Sequence, residues 1–568
     1  MTTTADLTAF LPRDLDAKVR ERRAALRQQD VVRRMWAGDP FVWSGADEDH
    51  WLGWLNLPLQ DNGAVDRVVR FAREIKHERM SDLVLMGMGG SSMAPEVIQS
   101  ILGPHEGYPV LHVIDSTDPG QILAVERKID INRTMFLVAS KSGSTLEVNI
   151  LKQYFYHRAV QKFGEAEAGR RFVLTTDPGS KLQQVAEREG FREIFPGVPS
   201  VGGRYSALSN FGLVPAALMG VDVTRFMNSA EAMARRCATD REESTALYLG
   251  VILGELANNG RDKPTLMAPA PLSGFGAWLE QLVAESIGKQ GKGIIPIDGE
   301  KPGPPGVYGD DRVFVHLRCA VCPDPVLDAQ AAELARAGQP VVRIDWPDRH
   351  ALGAEFYRWE FATAAMGAVV GVNPFDQPDV EESKVVTRRL AADYERTGKL
   401  PDEAPLIEAQ GIAIYADAAN RQALAGNESI GGLLKAFLRQ LHAGDYFALL
   451  AFIEMNDAHR ASLQAIRSVV RDRARVATCV GFGPRFLHST GQAYKGGPNT
   501  GVFLQITGDD PEDLPVPGQR YSFGTIKLAQ ARGDFEVLSA RGRRLLRVHL
   551  KDVTRGLDSL RTLIQQAL

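Results

Sequence analysis

The chain of 568 residues has only 4 cysteines, Cys237, Cys319, Cys322 and Cys479. That density excludes a disulfide framework, and a reducing, cytoplasmic setting is the simpler expectation. Cys319-Ala-Val-Cys322 has the spacing of a redox or zinc pair, but no second pair accompanies it. It follows the apolar run Val313-Phe-Val-His-Leu317, so both residues read as ordinary core thiols near a strand end. Charge of one sign is also scarce: 66 Lys and Arg against 70 Asp and Glu leave a formal net charge of −4. This balance argues against a nucleic-acid partner, which needs a basic face, and against a polybasic membrane surface. A small anionic substrate stays open, because it needs only local positive charge. Long lipid-like runs are missing as well. The longest, Phe361–Val372, stops at Asn373-Pro374; it is too short to span a bilayer and reads as a buried helix. The first residues, MTTTADLTAFLPRDLD, lack the basic and then apolar order of a secretory leader.

What is present is a regular alternation. Apolar strand patterns at Asp82–Met86, Val110–Ile114, Thr134–Ala139 and Arg171–Thr175 are separated by helical patterns that include Ala94–Leu102 and Leu146–Phe163. A second cycle runs through strands Pro264–Ala268, Val313–Arg318 and Val341–Asp345. Its helices are Ala277–Ile287, Val326–Ala337 and Ala354–Val372. Continuous apolar strands between helices indicate an α/β fold with buried parallel sheets. The first 40 residues and Leu208–Asn258 read as helix, and Pro296–Gly309 as a surface loop. Residues 401–568 form a further mixed α/β block. The expected domains are 1–245, 246–400 and 401–568.

Six segments carry chemistry. Gly87-Met-Gly89-Gly90-Ser91-Ser92 lies between a strand and a helix, where glycines allow close backbone approach and the helix start favours an anion. It breaks the dinucleotide fingerprint, since Ser92 stands where the last glycine belongs. Asp115, at the end of the next strand, keeps a ribose-binding alternative open. Ser140-Lys141-Ser142-Gly143-Ser144-Thr145 repeats the strand-to-helix setting with hydroxyls and a cation, a combination suited to phosphate; a hydroxyl-rich helix cap is the alternative. Gly202-Gly203-Arg204 offers a guanidinium after a tight turn. Gln281 and Glu285 share a helix face at i and i+4. Gln377 and Lys384 lie seven apart, beyond Asn373-Pro-Phe-Asp376. His488 stands in Leu487-His488-Ser489-Thr490-Gly491-Gln492, with a glycine-rich sequel.

Taken in order, GMGGSS, SKSGSTLE, VGGRYS, QLVAESIGK and NPFDQPDVEESK resemble the glucose-6-phosphate isomerase family, most of all the isomerase part of bacterial transaldolase–isomerase fusions. The resemblance implies two sugar-isomerase-type α/β/α sandwich domains, here with a C-terminal α/β extension. It implies reversible conversion of glucose 6-phosphate to fructose 6-phosphate with no cofactor or metal, in a cytoplasmic homodimer. On this resemblance Ser140, Lys141, Ser142 and Thr145 form the phosphate loop. Gly90 and Ser91 contact ligand, as do Gln281 and Gln377. Glu285 is the base moving a proton between C1 and C2, Arg204 stabilises the enediolate, and Lys384 assists ring opening. One departure stands out. The family's ring-opening His, in an L-H-S-x-G-Q context, normally follows the catalytic Glu by a few dozen residues; here those letters come about 200 residues later, at His488. His316 lies in the usual interval but inside an apolar strand pattern, and reads as core. The expectation is that the C-terminal block returns His488 to the site, in this chain or a partner's.

The chemistry is coherent without the family. Aldose–ketose isomerisation needs a base at an acidic C–H, cations for the enediolate, acid–base help at the ring oxygen and a phosphate anchor. The alternatives are a non-catalytic sugar-phosphate sensor, an isomerase of another sugar phosphate such as mannose 6-phosphate, and a nucleotide-dependent enzyme. The first would not need Glu285, Arg204 and Lys384 together.

Overall fold

Strands Asp82–Gly87 and Thr134–Ala139 are buried at every position, as their unbroken apolar runs require. They occupy the middle of an all-parallel five-stranded sheet ordered Val110–Ile114, Asp82–Gly87, Thr134–Ala139, Phe172–Thr176, Glu193–Pro196. The chain leaves Asp82–Gly87 for a strand on one side and returns to Thr134–Ala139 on the other. The turns after these two strands therefore flank a switch-point crevice, where open α/β sheets bind ligands. The computed structural model describes residues 2–3, 6–60, 63–239 and 244–568.

A second sheet joins Lys263–Met267, Arg312–Cys319 and Val341–Trp346 in parallel. Its edge corrects the sequence reading. Leu7–Phe10, read as part of a helix, is a strand antiparallel to Val341–Trp346. Leu7 and Ala9 point into the core, and the helix begins only at Arg13. The stretch read as one helical region, Leu208–Asn258, holds Asn210–Leu218, Val223–Cys237 and Thr245–Asn258. Helix Leu352–Val370, buried almost throughout, packs on the last two. Among the described residues no helix is long and apolar enough to cross a membrane.

The C-terminal block builds a third sheet around parallel strands Arg544–Leu550, Gly501–Gly508, Tyr446–Phe452 and Ala477–Phe482. It does not stand apart. Val516, Phe523 and Ile526 pack into the apolar layer of the first sheet, and Ala284, Ile295 and Ile297 into that of the third. The architecture is α/β with parallel sheets under helices, in agreement with the expected class.

Two further readings need correction. Cys319 and Cys322 are joined by a disulfide, not left as thiols: the strand ends at Cys319 and the chain turns back, bringing the Cα atoms within 5.1 Å. Cys237 and Cys479 are free and buried. The segment Pro296–Gly309, read as a surface loop, is exposed at 299, 301, 304 and 306 but is not only that: it also straps the second and third sheets together. Glu300, 4% exposed, receives Arg312 Nη1 at 3.0 Å and the Thr478 hydroxyl at 2.6 Å. Arg312 also donates to Thr265 Oγ1 and the Val476 carbonyl. Burial alone would raise the Glu300 carboxyl; the charges of Arg312 and Arg467 and the Thr478 bond outweigh it and hold it below the ordinary value. That stabilisation is present at neutral pH and is lost as pH falls through the depressed pKa. Glu300→Ala leaves Arg312 buried and unpaired, and should cost about 3–5 kcal/mol in urea unfolding at pH 7.

Candidate active site

The helix expected from Ala94 begins at Gly90, which puts Ser91 and Ser92 in its buried first turn. Its glycines have a packing cause. A Cβ on Gly90 would lie 1.9 Å from the Gly203 carbonyl oxygen, and one on Gly89, at φ +56°, 2.9 Å from that of His488. Bare backbone thus lets three separate segments meet. Ser92 Oγ bonds Asp115 at 3.0 Å, and Arg485 pairs with the same carboxylate at 3.3 Å. Asp115 is committed inside the protein, which removes the ribose-binding alternative.

The second turn, Ser140–Thr145, leads into helix Leu146–Phe163. Ser140 and Thr145 hydroxyls lie 3.1 Å apart and those of Ser142 and Ser144 2.9 Å apart; Gly143 takes φ +67°. Thr145 makes no side-chain cap to its own helix, so the hydroxyls are not spent on capping it. The Lys141 ammonium pairs with Asp177 and donates to the Pro199 carbonyl at 3.1 Å. Its charge is at this turn but is shared with a carboxylate.

Arg204, 2% exposed, sits where helix Phe275–Ile287, which carries Gln281 and Glu285, meets residues 373–377. It donates through Nε to Ser286 Oγ at 2.7 Å and through Nη1 to Gln377 Oε1 at 2.8 Å. Nη2 donates to the Pro374 and Asp376 carbonyls at 2.8 and 3.0 Å. Nη1 also lies 3.4 Å from Glu285 Oε1. The other carboxylate oxygen, Oε2, accepts from Gln281 Nε2 at 3.1 Å. The same amide nitrogen donates to the His488 carbonyl at 2.9 Å, and Gln281 Oε1 is left buried without a protein partner. Lys289, in the QLVAESIGK motif but not singled out from sequence, fastens the far side. Its ammonium donates to the Asn373 and Asp376 carbonyls and to Asp376 Oδ1. Burial and the nearby Arg204 charge push it down to about 8.

His488 belongs to this chain's own crevice. Its Nε2 lies 3.0 Å from Glu147 Oε1. Burial would raise Glu147; the His488 charge and hydrogen bond, with the Lys384 charge, outweigh this and hold it below the ordinary carboxylate value. Glu147 also accepts from Gln530 Nε2 at 2.6 Å. Sequence reasoning placed Glu147 inside SKSGSTLE without a role and passed over Gln530; only a charged residue in the first buried helical turn hinted at the former. Lys384, on helix Glu381–Thr397, is less drawn in: its side chain is 43% exposed and pairs with Glu381 at 3.3 Å. His316 is buried in its strand, 3.3 Å from Asp328, as a core residue.

The arrangement joins acid, base and cation around a crevice with two anion-type turns. Residues 72–298 match the family model for phosphoglucose isomerase. A glucose-6-phosphate isomerase of Rubrobacter xylanophilus is 30% identical over 398 residues, covering 61% of this chain and 89% of that one. One from Thermus thermophilus is 30% identical, covering 60% and 90%. A crystal structure titled as a hypothetical protein, also from Thermus thermophilus, superposes with TM-score 0.59 at 28% identity, over 67% of this chain and 99% of that one. That of a Chlamydia trachomatis glucose-6-phosphate isomerase gives TM-score 0.55 at 19% identity, over 66% and 86%, and speaks for the fold. This chain belongs to the glucose-6-phosphate isomerase family.

Proposed function

We propose that the chain interconverts glucose 6-phosphate and fructose 6-phosphate, a step of glycolysis and gluconeogenesis, through ring opening and a cis-enediolate. The observation that carries this reading is the unbroken line Gln377–Arg204–Glu285–Gln281–His488–Glu147, set at the switch point of the first sheet. It supplies a base, a fixed cation and an acid–base group with no gap between them.

In this reading the phosphate rests on the hydroxyls and backbone N–H groups of Ser140–Thr145 with Lys141, and Gly90 and Ser91 border the sugar. His488 gives a proton to the ring oxygen while Lys384 assists at the anomeric hydroxyl. Glu285 takes the C2 proton and returns it at C1. Negative charge builds on the enediolate oxygens near the Arg204 guanidinium, whose charge is held in place by its protein partners, so little reorganisation is needed. Gln281 and Gln377 hold hydroxyls. Phosphate binding away from the reacting carbons orients them.

The boundaries 1–245, 246–400 and 401–568 are retained as part of the proposal, with Leu7–Phe10 lent to the second sheet. All three segments serve one site. A cytoplasmic homodimer is retained on the family resemblance, and sedimentation of the purified chain tests the dimer.

In a coupled assay for fructose 6-phosphate conversion, Glu285→Gln should lower kcat by about 10²–10⁴ with the fold intact. Near-normal turnover would remove Glu285 as the base, and no wild-type turnover at pH 7–8 would remove the function. Lys141→Ala should raise KM for the sugar phosphate more than it lowers kcat.

A further inference from the structure

We propose that Gln530, on helix Phe523–Ala540, is a positioning residue whose amide holds Glu147 as a hydrogen-bond acceptor and so fixes the orientation and tautomer of His488. The inference rests on the isomerase reading above. Gln530 is 2% exposed and bridges two partners: its Oε1 lies 2.7 Å from Thr117 Oγ1, and its Nε2 lies 2.6 Å from Glu147 Oε1. A carboxylate only accepts, so the amide nitrogen faces Glu147 and the Thr117 hydroxyl donates to the amide oxygen. Glu147 Oε1 is then held by donors from two sides, Gln530 Nε2 and His488 Nε2. In the neutral ring the hydrogen sits on Nε2. His488 Nδ1, which makes no hydrogen bond among the described residues, is left for the sugar: it carries the second proton of the imidazolium, gives it to the ring oxygen, and the ring is left as the Nε2–H tautomer.

The helix carrying Gln530 is pinned on either side of it. Lys527, one turn earlier, bonds Asp118 at 2.7 Å, next to Thr117. Asp534, one turn later, pairs with Lys495 at 2.6 Å. Residues at these spacings share a helix face, so the amide arrives between fixed neighbours. Two other charged groups reach the pair. Lys384 comes from helix Glu381–Thr397, and Asp115, paired to Arg485, from the end of strand Val110–Ile114.

Gln530→Leu keeps the volume and removes both bonds. It should lower kcat by about 10–100-fold, the worth of a hydrogen bond to a charged group, with KM little changed. With one donor gone, Glu147 charge acts more strongly on the imidazolium, so the basic limb of the kcat–pH profile moves to higher pH. In ¹⁵N spectra the His488 ring should show a raised titration midpoint and loss of a single Nε2–H tautomer. Thr117→Val frees the amide without touching Glu147 or His488. It should move the same readouts in the same directions by less, and it decides the matter where the leucine variant does not fold. A fall in Tm and kcat with the pH limb and ring tautomer unmoved means Gln530 only packs, and overturns the proposal. If the wild-type chain fails to isomerise fructose 6-phosphate, the isomerase reading falls, and the ring spectra still decide the role of Gln530.

Discussion

The site depends on burying one guanidinium with every donor spoken for. Arg204 can lie at 2% exposure because Ser286, Gln377 and two backbone carbonyls satisfy it, and Glu285 balances its charge. A buried charge lacking such partners would cost several kcal/mol. The requirement reaches outward. The carbonyls of Pro374 and Asp376 must be presented, so Lys289 clamps that segment. The Gly203 turn must press against another helix, so that helix begins with a glycine.

The third segment contributes by the same logic of paired burial. Its helix Phe523–Ala540 enters the first segment through Lys527 and Gln530, and Arg485 bridges Asp115 and Glu96. These ion pairs lie between apolar layers shared across the sheets, where removing one partner would leave the other charge buried and uncompensated. His488 sits at the end of this scaffold, with its carbonyl held by Gln281 and its ring by Glu147. Both ends of one residue are therefore located by the first two segments.

What could be read from sequence follows the physics of each element. Strands such as Thr134–Ala139 were legible because a parallel strand covered on both faces is apolar at every position. Leu7–Phe10 was not: four residues at a sheet edge carry too short a pattern, and the charged helix behind them dominates the composition. Pro296–Gly309 has loop composition, but Glu300 is pulled under cover by Arg312 and Thr478, partners far along the chain in one case. The Cys319–Cys322 bridge depended on how sharply the chain turns after its strand. In the site, Arg204, Glu285 and Gln281 were legible as motifs with local spacing. Glu147 and Gln530 were not, because their meaning lies in contacts spanning 341 and 383 residues. No local spacing encodes those.

The delivery of His488 by the C-terminal segment has a kinetic consequence. Glu285, Arg204, His488 and Glu147 lie on one polypeptide, so their mutual concentration is set by chain connectivity and not by the amount of protein present. Bringing His488 to Glu285 and Glu147 is then a first-order event, completed when the molecule folds. The contacts that place His488 are all made within the 568-residue chain.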